Sequence, residues 1–507
     1  MSESSSALDR GVPRQLPRAD HPLVLLLVLA LIAAFLFGTV PRGQDWSGDA
    51  ALYIMNARNI ALGLPYGRTD YVPNPANPIY PAAYPPGLPL LLAPIYRASG
   101  IDLGAMKALC VACLVLLLAV FWRIARDALA PAPALLTAAA FGLHPFVWYC
   151  GRYIASEFPF MLFCYCGLYV LDRLQRPHLP ARRLAPIGIA AVALALACIT
   201  RTIGFVAFPA AVLAALPDRR RLAATLAALA AAGVLILGTH LAFPADLGTY
   251  MSYLHSFGLH SMRSGIRHYL AVRADLIGKA AVNVPILGRV LWVALIAACG
   301  LGLLVRARSR VSVYEWFFLG YGGFLLLYPI SDEANRYSLP LWPLVFLYCA
   351  VGIGALGQLL GRGARSWAAA AVITLIAGLY VAHYAALDWG PTPYSMDAPE
   401  SRALYAAIRT DVPPRAMVLA PRPTVVALYA ERRAIVWPAH VSDRELWDFM
   451  ALHHIDYLMQ DIHLPGGRSG PPNEFDLFIA RNRASLKLLF SNRWFHLYRV
   501  VAAASAS

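Results

Sequence analysis

Gln44-Asp45-Trp46-Ser47-Gly48-Asp49-Ala50-Ala51-Leu52-Tyr53 is the stretch on which the reading of this chain turns. It follows directly on residues 22–40, an apolar run matching the roughly 20 residues a helix needs to cross a bilayer. Asp45, Asp49 and Trp46 therefore stand at the mouth of a membrane span. An ionised carboxylate is costly to take out of water, so its presence at such a boundary needs a reason.

Composition sets the class. Of 507 residues, 59% are hydrophobic and 14% charged. Soluble domains carry roughly a quarter charged residues, so the chain reads as a polytopic α-helical membrane protein. The net charge of +15 comes largely from Arg in short runs between apolar segments. That is the pattern of loops retained on the cytoplasmic side, and it implies no nucleic-acid partner. Residues 1–20 are polar and read as a disordered cytoplasmic tail, and 22–40 as a signal anchor that stays. All eight Cys lie in or beside apolar segments, and Cys110-x-x-Cys113 has no polar neighbours, so they read as small buried hydrophobes.

Apolar runs fall near 22–40, 104–122, 131–150, 157–171, 184–200, 202–216, 222–243, 286–305, 313–330, 339–357 and 366–386, which gives about eleven spans. Arg123/Arg126, Arg173/Arg176/Arg182/Arg183, Arg219/Arg220/Arg221, Arg306/Arg308/Arg310 and Arg362/Arg365 follow every second span. Placing these turns in the cytoplasm puts the N-terminus inside and sends 41–100, the 150–157 turn, 244–285, 331–338 and everything beyond about Asp388 outside. The transmembrane part is then 21–387, with 41–100 as its long outer loop.

Within that loop, Ala50, Ile54, Ala57 and Ala61 form one stripe at helical spacing, with Asn56 and Asn59 off it, so 49–62 predicts an interfacial helix. Ser47 or Asp49 would cap its start and Gly63 its end. Pro65, Pro73, Pro75, Pro78, Pro81, Pro85 and Pro86 then forbid regular structure until a short helix over Leu88–Ile95. From 388 to 507 the apolar runs shrink to strand length: Met417–Ala420, Ala434–Trp437, Asp456–Met459, Leu486–Phe490 and Phe495–Val501. Helical stretches alternate with them, one opened by the capping box Ser442-x-x-Glu445, which predicts a small α/β domain.

The polar constellation of the outer segments is Asp49 and Tyr53, Tyr84-Pro85-Pro86, Arg152-Tyr153, Ser156-Glu157, Thr200-Arg201, and Asp332-Glu333 with Arg336-Tyr337. In order and sidedness it resembles the C-type superfamily of membrane glycosyltransferases, in particular the protein O-mannosyltransferases and lipid A aminoarabinose transferases. That family carries an Asp in the first outer loop followed by a short motif ending in Tyr, matched by Gly48-Asp49-Ala50-Ala51-Leu52-Tyr53. A Lys-Pro-Pro-like motif is matched by Tyr84-Pro85-Pro86, an acidic residue opening a later span by Ser156-Glu157-Phe158-Pro159, and a late Arg-Tyr by Arg336-Tyr337-Ser338-Leu339-Pro340. The departure is Tyr84, where the family has Lys.

The resemblance implies a polyprenyl-phosphate sugar as donor and an acceptor hydroxyl on a lipid, protein or polysaccharide, reached from the outer face of a bacterial inner membrane. Asp49 would be the general base, and Glu157 would orient the acceptor or support Asp49. Without the Lys, the donor phosphate falls to Arg336 or Arg201 with Tyr337, while Tyr53, Tyr84 and Arg152 would line the substrate. No cofactor is required on this reading, although Asp45 and Asp49, four apart, could hold a divalent cation. Other readings stand beside these. Asp49 as a helix cap, the arginines as snorkelling anchors and the tyrosines as an interfacial belt need no activity. At the level of function, the rivals are a transporter or flippase for a lipid-linked sugar and a glycan ligase using a diphosphate-linked donor.

Overall fold

A computed structural model describes residues 22–176, 184–246, 263, 285–327, 334–392, 394–463 and 474–501. The tail 1–20, nearly all of the 244–285 loop, Arg182, Arg183, and Asp332 and Glu333 of the polar constellation lie outside the described residues.

Among the described residues, each of the eleven apolar runs is helical, but the helices differ in reach. Five segments are long and apolar enough to cross a membrane: Leu103–Arg126, Arg219–Ala242, Gly288–Ser309, Arg336–Gly357 and Gly363–Ala385. Pro22–Gly38, Pro131–Gly142, Leu184–Thr200, Thr202–Ala215 and Val313–Leu327 are shorter. The run 131–150 is not one helix. Pro145 starts a new one, and the His144 ring nitrogen accepts the Phe146 amide at 3.1 Å, so the chain breaks into α5 (Pro131–Gly142) and α6 (Pro145–Cys150). Residues 202–216 form a 3-10 turn followed by α9 (Ala207–Ala215), whose nine residues rise about 14 Å, half a hydrocarbon core.

The bundle is built from α1 (Pro22–Gly38), α4 (Leu103–Arg126), α7 (Glu157–Leu174), α8 (Leu184–Thr200), α10 (Arg219–Ala242), α11 (Pro285–Ser309), α12 (Val313–Leu327), α13 (Ala334–Ser338), α14 (Trp342–Gly357) and α15 (Arg362–Ala385). Asp102 caps α4 and Asp218 caps α10 through backbone amides. The core is aliphatic and aromatic, while the outer faces expose Val234, Leu237, Leu241, Val290, Val293 and Val381. Contiguous apolar surface of this kind is a lipid-facing surface. At one end, the turns after α4, α7 and α11 join in one ion-pair network. Asp127 takes Arg173 at 2.8 Å and also Arg176, and Asp172 takes Arg176 at 2.7 Å and Arg310 at 3.3 Å. Glu157, at the other end of α7, lies about 22 Å from Asp172 by helix rise. The turns after α4, α7 and α11 are thus at the opposite end of α7 from Glu157.

Among the described residues, all strands follow residue 416. They are β1 (Met417–Leu419), β2 (Arg433–Ile435), β3 (Ile455–Asp461), β4 (Leu486–Ser491) and β5 (Phe495–Val500), in the order β2-β1-β3-β5-β4. β1 pairs parallel with β2 and β3, and β5 antiparallel with β3 and β4. The β4–β5 turn is held by Asn492, whose side-chain oxygen accepts the Trp494 and Phe495 amides at 2.9 Å. The Ser442–Glu445 capping box opens α18 (Asp443–Leu452) as its spacing predicts. One face of the sheet packs against α18 and α19 (Glu474–Arg481).

The other face does not belong to the C-terminal segment alone. Its core includes α16 (Pro399–Asp411), α17 (Pro423–Ala430), and also α2 (Gly48–Leu62) and α3 (Gly87–Ser99) from the first loop. The sequence stripe reads α2 as an interfacial helix with polar residues turned away. The structure instead buries it nearly all round, because it is pressed between α3 and α17. Asn56 and Asn59 are fully buried, and their amide donors are met by the loop that follows. Asn59 Nδ2 donates to the Tyr66 and Arg68 carbonyls at 2.9 and 2.7 Å, and Asn56 Nδ2 to the Tyr66 carbonyl at 3.2 Å. Neither Ser47 nor Asp49 makes a side-chain cap, whereas Gly63 ends the helix in the left-handed conformation at φ 67°. The proline-rich loop is sewn to the sheet edge. Val72 N–H donates to the Ala434 carbonyl at 2.9 Å, and the Asn74 and Asn77 side chains donate to the Val436 and Trp437 carbonyls at 2.9 and 2.8 Å.

Candidate active site

Five chain segments deliver the polar constellation to one place. Asp49 lies in the first turn of α2. That turn is fixed by Trp46, whose indole donates to Ser401 Oγ at 3.1 Å, and by Gly48, where a Cβ would overlap the Tyr80 ring. Glu157 is the first residue of α7, and Arg201 follows the last residue of α8. Arg336 lies in α13, just before the Arg336–Gly357 span straightens. Gly87, at the start of α3, is in direct contact with Thr200, which brings Tyr84-Pro85-Pro86 beside Arg201.

At the centre stands Glu157, only 2% exposed. Its Oε1 accepts from Arg201 Nη1 at 2.8 Å, Arg336 Nη2 at 2.9 Å and Arg336 Nε at 3.1 Å. Its Oε2 is buried and meets no hydrogen-bond partner among the described residues. One carboxylate oxygen thus gathers two guanidinium groups that would otherwise repel. Arg336 Nη2 also reaches Asp49 Oδ2 at 3.5 Å. The Asp49 side chain keeps 23% of its surface exposed, so this carboxylate is open to an incoming molecule where Glu157 is not.

Aromatic residues form the wall. Tyr84 Oη donates to Asp49 Oδ1 at 2.6 Å, and its ring stacks on Tyr53 at 4.4 Å between centroids. Tyr84 is itself held by the Asn56 side chain, which accepts its amide at 3.3 Å, and by Tyr66 Oη, which donates to its carbonyl at 2.7 Å. Tyr53 Oη donates to Ser156 Oγ at 3.0 Å, and Arg201 Nη1 donates to the same hydroxyl at 3.1 Å. Burial, reinforced by the charge of Asp49, holds the Tyr53 phenol well above its ordinary pKa, so it remains a neutral donor. The Arg201 guanidinium lies 5.4 Å above the Tyr337 ring.

The structure therefore brings together Asp49, Glu157, Arg201, Arg336, Tyr337, Tyr53 and Tyr84, all singled out in the sequence. It does not bring Arg152. That guanidinium lies over the Trp148 ring at 5.0 Å, and no hydrogen bond or ion pair joins it to the cluster among the described residues. The reason is the turn after α6, which carries Arg152 away from the Ser156 side of the segment. Asp45 is not paired with Asp49 either. Its Oδ1 accepts from Gln44 Nε2 at 2.8 Å and from the Ser47 amide at 3.3 Å. The described residues contain no group of three or more His, Cys, Asp or Glu side chains that could hold a metal ion. Tyr66 and Asn56 were not among the candidates from sequence, and Ser156 entered only beside Glu157, without a role of its own. A lone hydroxyl or amide in an apolar stretch carries no pattern until its partner is known. Cys110 Sγ donates to the Ala155 carbonyl at 3.5 Å.

The fold is similar to that of two solved proteins, ArnT and AglB. ArnT from Cupriavidus metallidurans bound to undecaprenyl phosphate superposes with a TM-score of 0.59 and 13% identity over 97% of this chain and 100% of that one. Its apo state gives 0.60 and 12%, covering 96% and 99%. The archaeal oligosaccharyltransferase AglB from Archaeoglobus fulgidus, in complex with an inhibitory peptide and a dolichol-phosphate, gives 0.58 and 13% over 87% of this chain and 69% of its own. No family model and no curated protein matches the sequence. At such identity the likeness concerns the fold.

Proposed function

We propose that this protein is an inverting glycosyltransferase that moves a sugar from a polyprenyl-phosphate donor to an acceptor hydroxyl. The observation that carries the reading is the junction of an accessible carboxylate, Asp49, with Arg336, itself held with Arg201 on the buried Glu157. The acceptor oxygen attacks C1 of the sugar and gives its proton to Asp49. The C1–O bond breaks, its electron pair passes to the phosphate, and polyprenyl phosphate leaves. Arg336 and Arg201 meet the growing phosphate charge with a guanidinium pair suited to bidentate contact. Attack opposite the leaving group inverts the anomeric centre and uses one carboxylate in line. Glu157 then serves by holding the arginines, because its bonded oxygen is already committed to them.

Two solved relatives in fold are described with undecaprenyl phosphate and dolichol-phosphate, which supports a lipid-phosphate carrier here. The same reading takes the eleven apolar runs as spans, puts the N-terminus in the cytoplasm and the sheet-bearing region outside, and assigns the protein to the inner membrane of a bacterium. The acceptor is a lipid, protein or polysaccharide. Two guanidinium groups supply the charge a donor phosphate needs, so the reaction is written without a cofactor.

The test is mass spectrometry of cell-envelope glycans and of the polyprenyl-phosphate sugar pool, with and without the protein. A modified glycan should disappear and its donor accumulate in the null strain, and Asp49→Asn should reproduce the null at normal protein level. Removing a general base costs about 10²-fold or more. Near-normal transfer by Asp49→Asn would sink the assignment. Movement of the lipid-linked sugar across proteoliposomes without a transfer product would point to the flippase instead.

A further inference from the structure

A cavity of about 710 Å³ lies between the beginning of α4 and α16. Its volume falls within the range of small-ligand sites. The floor is the end of the first span and the beginning of α4. There Arg42 stands next to Lys107, which is 1% exposed and donates its ammonium to the Pro41 carbonyl at 3.2 Å and to the Gly43 carbonyl. The roof is α16, which presents Arg402 and Arg409 two turns apart on one face. Four cations thus face the cavity against two acids, and both acids are engaged. Asp102 accepts the Ala105 amide at 2.9 Å as the cap of α4, and Asp397 accepts from Ser395. Arg409 donates to the Tyr429 carbonyl at 2.6 Å. Among the described residues, none of the four cations is in an ion pair. Four cations against two acids leave the lining net positive, and a concave basic site concentrates anions. This one opens where α1 ends and α4 begins, the level at which a bilayer presents its phosphates.

We infer that this cavity binds a phosphate monoanion or diester, of the kind carried by an anionic lipid headgroup. It shares no residue with the Asp49–Glu157–Arg336 cluster, so it stands whether or not the proposed transfer does. In the bound state the phosphate bridges Arg42 and Lys107 of the bundle to Arg402 and Arg409 of α16, tying the sheet-bearing region to the membrane surface.

The experiment is a binding titration of the full chain in a neutral detergent with phosphatidylglycerol, phosphatidylcholine and inorganic phosphate as separate probes. It is repeated on the double variant Arg402→Ala/Arg409→Ala and on Arg402→Lys/Arg409→Lys. Both variants change exposed side chains, and their melting temperatures control for folding. Phosphatidylglycerol should bind in preference to phosphatidylcholine, the alanine pair should weaken it about tenfold or more, and the lysine pair should retain most of it. Saturable binding of inorganic phosphate with the same loss on mutation supports the site and assigns it to the free anion. Equal binding of phosphatidylglycerol by the wild type and the alanine pair, or no anion binding at all, overturns it.

Discussion

Tyr84 is the residue where this chain departs from the pattern it otherwise resembles, and its geometry explains how the departure is absorbed. A Lys at that position would bring a charge. Tyr84 brings a neutral hydroxyl, donated to Asp49 at 2.6 Å. A short bond to one oxygen orients the carboxylate and leaves Oδ2 toward Arg336. Tyr84→Phe keeps the stack on Tyr53 and removes only that bond, which, made to a charged group, is worth about 1.5–3 kcal/mol. We expect kcat to fall about 10- to 150-fold with KM for the donor nearly unchanged. A raised donor KM at constant kcat would instead make Tyr84 a substrate contact. Glu157 behaves differently. Glu157→Gln removes the negative charge that two buried guanidinium groups share. Breaking such a pair costs about 3–5 kcal/mol, so this variant should melt at a lower temperature and lose yield as well as activity. Asp49→Asn, at a more exposed position, should keep its melting point. Unchanged melting of Glu157→Gln would show that the arginines are not held by that charge.

At the scale of elements, the contact between α3 and α8 decides whether the site can form. Gly87 lies so close to Thr200 that an added Cβ would stand 2.7 Å from the Thr200 backbone nitrogen and Cα. Backbone cannot yield as a flexible side chain does, so Gly87→Ala must part the two helices. The expected result is loss of transfer together with a destabilisation of about 1–3 kcal/mol, read as a lower melting temperature. Wild-type melting would mean the helices slide freely. The element scale also shows what the sequence made legible. The strands over Met417–Leu419 and Phe495–Val500, the cap at Ser442 and the helix breaks at Gly63 and the prolines were all readable, because each follows from local propensity. The interfacial placing of α2 was not. Its stripe of Ala and Ile is real, but the opposite face carries Asn residues whose amide donors are met only by the loop folding back over them.

On the scale of the whole molecule, the sheet-bearing region and the first loop share one core. Ala50, Ile54 and Ala57 of α2 lie in the same buried cluster as Val425, Ala427 and Phe495. Removing residues 394–501 would expose that cluster and strip the partners of Trp46, Asn74 and Asn77. Such a truncation is expected to aggregate or be degraded, measured by size-exclusion chromatography of the solubilised chain. A monodisperse, active truncation would mean that α2 holds Asp49 without the sheet. By the same argument, the polar cluster is a product of assembly. Asp49 and Arg336 are 287 residues apart, and Glu157 and Arg336 are 179 apart.

Hydropathy, proline and glycine placement and Arg distribution act over a few residues, and so the amino-acid order alone established a polytopic helical chain, its late strands, and the charged residues worth watching. What tertiary packing alone decided was company. It set Glu157 between two arginines, laid Tyr84 on Asp49, turned Arg152 onto Trp148, and buried α2 under the sheet. Those contacts depend on how distant segments come to rest against one another, and no local pattern encodes a distance across hundreds of residues.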